Sequence, residues 1–212
     1  MFTRIRTLLT LGLVIAAAPV FAETVTPALT LDRPVVAPGT GVTIHLLARF
    51  EVPEATAAEA ALRPPVHLAL VVDRSGSMEE AGKLAYAKVA AKALVTLLRP
   101  DDRLAIVEYD DRVTVLWPSS PVAAPELVGR LIDGLKPRGS TNLAAGLSAG
   151  LAEFTRDRRP SFTCRTILLS DGLANTGITD PRAIAEVAAK GRRNGVAVTT
   201  MGLGLSYNED LM

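Results

Sequence analysis

Val66-His67-Leu68-Ala69-Leu70-Val71-Val72-Asp73-Arg74-Ser75-Gly76-Ser77 is the stretch whose reading decides the fold. Its first seven residues are almost continuously apolar. A half-buried strand would alternate, so this run predicts a strand covered on both faces, as in a parallel sheet flanked by helices. At Asp73 the texture turns abruptly polar, which places a carboxylate and two hydroxyls just past the carboxyl end of that strand. Downstream, Leu84, Ala87, Ala91, Leu94 and Leu98 recur at three- and four-residue steps and predict a helix over 79–98, with Lys83, Lys88 and Lys92 off its apolar stripe and Pro100 as its stop. Strands follow at 103–109 and 113–117, turning at Asp110-Asp111 and closed by Trp117-Pro118. Helices are expected at 125–135 and 142–154, a second buried strand at 166–169, a helix at 181–193 opened by Pro181, and a last strand at 196–203. Strands alternating with helices predict an α/β fold. It is doubly wound, with a mainly parallel central sheet, helices on both faces and an antiparallel edge from 103–117.

Upstream the texture differs. Residues 1–22 carry Arg4 and Arg6, an apolar stretch from Leu8 to Ile15, and Val20-Phe21-Ala22 with small residues placed for a cut after Ala22. This is the pattern of a secretory signal peptide, and the apolar run is short for a span of roughly 20 residues, so cleavage is expected rather than anchoring. The mature protein is then expected to be exported, periplasmic or extracellular. Residues 23–52 form a short β segment with strands near 28–31 and 42–47, and 53–65, rich in Ala, Glu and Pro, form a linker. The domain proper is expected over 66–212.

Composition narrows the function classes. The 212 residues are 49% hydrophobic and 21% charged, an ordinary globular balance. The formal charge of +1 and the 4% aromatic content supply neither a phosphate-binding field nor base-stacking platforms, so nucleic acid is not an expected partner. A single cysteine, Cys164, excludes an internal disulfide and a Cys-rich zinc centre. His45 and His67 fall on strands and read as structural.

In open α/β sheets ligands bind at the carboxyl ends of the strands. The strand at 66–72 ends in Asp73-Arg74-Ser75-Gly76-Ser77, and the one at 166–169 ends in Ser170-Asp171-Gly172. If those strands are neighbours, two carboxylates approach each other, and a cation relieves the repulsion that would otherwise raise one pKa. Gly139-Ser140-Thr141 leads into a helix and brings another hydroxyl to that rim. Ser75 and Ser77 are two apart, so both can face one ion while Arg74 points away. The candidate ligands are therefore Asp73, Ser75, Ser77, Thr141 and Asp171. All are oxygen donors, a set suited to Mg²⁺, with Mn²⁺ or Ca²⁺ as alternatives, rather than to zinc or copper.

Asp73-x-Ser75-x-Ser77, then Thr141, then Asp171 resembles the metal-ion-dependent adhesion site of von Willebrand factor type A domains. Val71 to Met78, Gly139 to Leu143, Leu168 to Gly172 and the final Tyr207 to Met212 are similar in style to the bacterial exported members that resemble inter-alpha-trypsin inhibitor heavy chains. The resemblance covers 65–212. It implies that Ser75, Ser77 and often Thr141 touch the ion, that Asp73 and Asp171 hold it through water, and that a partner's Glu or Asp carboxylate completes its coordination. It also implies a further helix and edge strand after Met212, so the chain is expected to be part of a longer protein. The strands at 28–47 would then belong to a β-module completed by that later sequence.

The expected function is that of an exported, non-enzymatic, metal-dependent protein-binding module. The alternatives are a metal-dependent hydrolase and a purely structural envelope scaffold. Other motifs point nowhere. Gly146-Leu147-Ser148-Ala149-Gly150 matches a nucleophile elbow but lies in a helical stretch, with no later histidine in the chain. Asp73 lacks the second acid two residues on that aspartyl-phosphate chemistry needs. Gly202-Leu203-Gly204 is too short for a dinucleotide fingerprint. Arg156, Arg158 and Arg159 suit a solvated helix C-terminus.

Overall fold

A computed structural model describes residues 26–31, 45–51, 63–157, 160–205 and 207–212. The expected signal peptide, most of the expected linker, the first residues of the expected second strand, and Arg158 and Arg159 lie outside the described residues. The chain divides into two compact units, residues 1–62 and 63–212.

In the first unit β1 (Thr26–Leu31) pairs antiparallel with β2 (Leu46–Glu51). The second strand runs on to Glu51, past its expected end at 47, and His45 sits just before its first residue, Leu46, rather than on it. Register places Pro27 opposite Phe50, Leu29 opposite Ala48 and Leu31 opposite Leu46, so one face of the ribbon is apolar throughout.

The second unit carries the sheet. β3 (Val66–Asp73) lies at its centre and pairs parallel with β4 (Arg103–Tyr109) on one side and β6 (Thr163–Ser170) on the other. β5 (Val113–Pro121) closes one edge antiparallel to β4, and β7 (Val196–Gly202) lies parallel to β6, giving the order β5-β4-β3-β6-β7. Among the described residues four helices cover the sheet: α1 (Lys83–Thr96), α2 (Pro125–Asp133), α3 (Leu143–Arg156) and α4 (Pro181–Arg193).

The nearly continuous apolar run of β3 follows from burial on both faces. Leu68, Leu70 and Val72 join Leu84, Ala87, Ala91, Val128 and Ile132 of α1 and α2 in one core cluster. Val71 packs into a second cluster with Leu143, Ala144 and Ile184 of α3 and α4, and Ala69 into a third with Phe154. Both faces are therefore dry, and every second residue is as apolar as its neighbour.

Three expectations need correction. Residues 76–82 form a 3-10 turn, not the start of the long helix: Glu80 is extended and Ala81 takes φ 50°. α1 opens only at Lys83, because Gly82 (φ 70°) breaks the helical path before the apolar stripe begins at Leu84. Lys83, expected off the apolar stripe, is buried. Trp117-Pro118 does not close β5, which runs on to Pro121. As an edge strand it tolerates a proline that lacks an N–H, and its register against β4 shifts on either side of Ile106.

The Gly146 to Gly150 motif lies wholly within α3 and is a packing device. A Cβ on Gly146 would come 2.5 Å from Tyr109 Cδ1, and one on Gly150 2.4 Å from Val71 Cγ2. The two glycines let α3 lie directly on β3 and β4.

Candidate metal-binding rim

Because β3 and β6 are parallel neighbours, Asp73 and Asp171 leave the sheet at the same edge. Asp73 is fully buried and held from three directions. Its Oδ1 accepts the Ser75 amide at 2.8 Å, and its Oδ2 accepts the Tyr109 hydroxyl at 3.1 Å and the Ser170 hydroxyl at 2.5 Å. Register supplies both hydroxyls, since Tyr109 is the partner of Asp73 on β4 and Ser170 follows Leu169, the partner of Val72, on β6. Burial pushes the Asp73 carboxyl above its ordinary pKa. The hydrogen bonds from Ser170 and Ser75 offset this in part, and Asp171 adds to the rise. Burial likewise pushes the Tyr109 phenol far up, with Asp73 adding to it, so it remains a donor.

The three rim loops are stitched together through their backbones. Gly76 N donates to Gly139 O at 3.0 Å and Arg138 N to Arg74 O at 2.8 Å, joining the first loop to the second. Thr141 N donates to Asn175 Oδ1 at 2.8 Å, while Thr141 O accepts the amides of Asn175 and Thr176, joining the second loop to the one after β6. Gly139 takes φ 68°, a region open to glycine, and a Cβ there would collide with Asp111 Oδ1. Asn142 then caps α3 by accepting the Ala145 amide.

Within this frame Ser75 Oγ lies 3.2 Å from Ser77 Oγ. Ser75 and Thr141 are buried, whereas Ser77 is half-buried and Gly76 exposed, so of the three hydroxyl residues Ser77 is the one that reaches the surface. Arg74 pairs with Asp110 at 2.8 Å and Glu108 at 3.3 Å. Asp110 loses water on burial, which would raise its pKa, but Arg138, the Arg112 amide and Arg74 outweigh this and hold it below the carboxylate range.

Asp171 is fully buried. Its Oδ2 meets Lys83 Nζ at 3.0 Å, and its Oδ1 accepts the Leu173 amide at 3.3 Å. The sequence reading missed Lys83, Tyr109, Ser170 and Asn175. Ser170 was in view beside Asp171, but nothing in the sequence sets the strand register that aims it at Asp73.

The residues fit a hard divalent ion. A desolvated carboxylate with a raised pKa stands near a second carboxylate and beside a pair of hydroxyls, one on the buried Ser75 and one on the half-buried Ser77. Among the described residues no group of three or more His, Cys, Asp or Glu side chains is arranged to hold a metal. An ion here would therefore depend on the hydroxyls. His67 lies at the opposite end of β3, bonded to Ser119 Oγ at 2.7 Å. Among the described residues no helix is long and apolar enough to cross a membrane.

The sheet is doubly wound, and its carboxyl edge carries the side chains of Asp73, Ser75, Ser77, Thr141 and Asp171. The model of the von Willebrand factor type A domain matches residues 68–173, half of the chain, from within β3 to just past Asp171, and the chain belongs to this family. YfbK of Escherichia coli (strain K12) is 35% identical over 150 residues, which cover 70% of this chain and 26% of that protein. Inter-alpha-trypsin inhibitor heavy chain H3 of Mesocricetus auratus is 31% identical over 156 residues, covering 68% of this chain and 17% of the heavy chain. The chain thus spans about a quarter or less of the length of these two relatives. Manganese-loaded TRAP protein of Plasmodium vivax shares the fold, with a TM-score of 0.60 at 23% identity over 70% of this chain and 61% of that one.

Proposed function

We propose that the chain is an exported module that binds a protein partner through a divalent ion, Mg²⁺ by preference, with Mn²⁺ or Ca²⁺ as substitutes. Ser75, Ser77 and Thr141 would ligate the ion directly, and Asp73 and Asp171 would hold it through water. When bound, the ion supplies an electrophilic point that takes an anionic oxygen, here a Glu or Asp carboxylate of the partner. Everything else falls to the protein. Tyr109 and Ser170 orient Asp73, the Gly76 to Gly139 bond sets the two serines against the Thr141 loop, and Asn175 holds Thr141 in place.

The observation that carries this reading is the Ser75–Ser77 hydroxyl pair, 3.2 Å apart above a buried carboxylate that three donors hold. Neutral hydroxyls quench an ion's charge poorly, which favours an incoming carboxylate over a neutral ligand. Family membership and the manganese carried by the TRAP protein support the same reading. Export rests on the leader-like residues 1–22, followed by the β segment at 23–52, the linker at 53–65 and the domain at 66–212. The reading assigns no catalytic residue.

The test is a Mg²⁺ titration of chelator-stripped protein, followed by capture of envelope proteins with Mg²⁺ and with EDTA. Wild type should take up one ion and capture a partner only when that ion is present. Asp73→Ala and Ser75→Ala should lose both properties while keeping the circular-dichroism spectrum. Capture that persists unchanged in EDTA defeats the proposal.

A further inference from the structure

We propose that Lys83 is a tethered counter-cation of this site, competing with the divalent ion for Asp171 and so making retention of the ion depend on the partner's carboxylate. The inference rests on the ion-binding reading above and assigns a regulatory part to a residue outside the ligand set.

The position of Lys83 is costly in two ways, and Asp171 offsets both. Its side chain is 3% exposed, although lysine is among the residues least often buried. It also opens α1, where the helix dipole disfavours a cation, and the first turn of that helix holds no acid. The ammonium lies 3.0 Å from the fully buried Asp171 Oδ2 and 3.8 Å from the exposed Glu80. Two left-handed residues in succession, Ala81 and Gly82, turn the chain immediately before Lys83. The loop after β7 closes over its methylenes, since a Cβ on Gly204 would come 2.9 Å from Lys83 Cε. Three elements thus converge to hold one ammonium against one carboxylate.

Charge counting gives the consequence. Asp73 and Asp171 alone would neutralise a divalent ion. With Lys83 among them the set carries a single net negative charge, so a bound divalent ion leaves one positive charge in excess. One carboxylate from a partner restores neutrality. Lys83 therefore weakens the hold on the bare ion and strengthens the pull on the partner.

The experiment measures Mg²⁺ and Mn²⁺ affinity by calorimetry on the full chain, wild type against Lys83→Gln and Lys83→Arg. Lys83→Gln should bind the ion about tenfold more tightly, the size of effect expected when one nearby charge is removed, and Lys83→Arg should stay near wild type. Saturating acetate, as the carboxylate probe, should narrow the gap between Lys83→Gln and wild type. Equal or weaker binding by Lys83→Gln overturns the inference and leaves the ion site standing, whereas absence of binding by both proteins overturns the ion site as well. A gap that acetate leaves unchanged overturns the coupling to a carboxylate. If Lys83→Gln does not fold, acylation of Lys83 in the wild type, read by mass spectrometry, decides. Labelling should be faster with Mg²⁺ than in chelator, and equal rates overturn the competition.

Discussion

Asp73 is the residue on which the rim turns, and the groups around it show what its charge requires. A buried carboxylate is tolerated when donors surround it, and each donor removed leaves a lone pair unsatisfied. Ser170→Ala deletes the 2.5 Å bond to Asp73 and the acceptor for the Gly172 amide. It should cost about 1–3 kcal/mol in urea denaturation, the range for losing a buried hydrogen bond to a charged group, and it should weaken Mg²⁺ uptake in parallel. Because burial raises the Asp73 pKa, the ion-free protein holds that charge at a cost, and a bound cation relieves it. Mg²⁺ should therefore raise the melting temperature of wild type, by an amount that grows with ion concentration, and leave that of Asp73→Ala unchanged.

Helices and turns set how closely the parts of the site can approach. α3 rests on the sheet through Gly146 and Gly150, and Gly150→Ala would drive a methyl into Val71 Cγ2 at 2.4 Å. The helix must then lift, with an expected loss of about 1–3 kcal/mol measured by chemical denaturation, as for other overpacked cores. Ala81 offers the opposite case. At φ 50° an L-residue pays about 1–2 kcal/mol that glycine avoids. Ala81→Gly should therefore keep or raise stability despite the entropy glycine loses, whereas a β-branched residue there should lower it. A marked loss on Ala81→Gly would show that the turn before Lys83 is held by something other than its backbone.

At the scale of the whole molecule, the three core clusters found among the described residues all lie in the unit of residues 63–212. Asp102 ties its beginning together. Buried itself, it accepts two bonds from Arg63 and the amides of Val66 and Arg99. Burial alone would raise its pKa, but Arg63 and the two amides outweigh this and hold it below the ordinary range. The sign follows from linkage. Its contribution is fully present above the unfolded carboxylate pKa of about 3.9 and is lost as pH falls through the lower folded value. Melting temperature measured from neutral pH down into that acid window should fall more steeply for wild type than for Asp102→Asn, which should begin lower and change less. The β1–β2 ribbon stands apart in this respect. A two-stranded sheet with one face lined by Leu29, Leu31, Leu46 and Phe50, all exposed, does not stabilise itself in water.

The sequence by itself determined the class of fold and the order of its elements. The apolar run of β3 and the stripe from Leu84 are local patterns, readable because burial on two faces or on one leaves different periodicities. It also determined the five candidate ligands, since each sits at a strand end or a helix start that can be found by eye. Only the tertiary structure decided what surrounds them. Parallel pairing of β3 with β4 and β6, at one particular register, aims Tyr109 and Ser170 at Asp73. The left-handed turn at Ala81 and Gly82 carries Lys83, which by helical spacing belongs off the apolar stripe, into contact with Asp171, 88 residues away. Periodicity reports which side of an element faces a core. It does not report which distant side chain that core or rim will bring alongside, because register and turn geometry are set by the packing of the whole sheet.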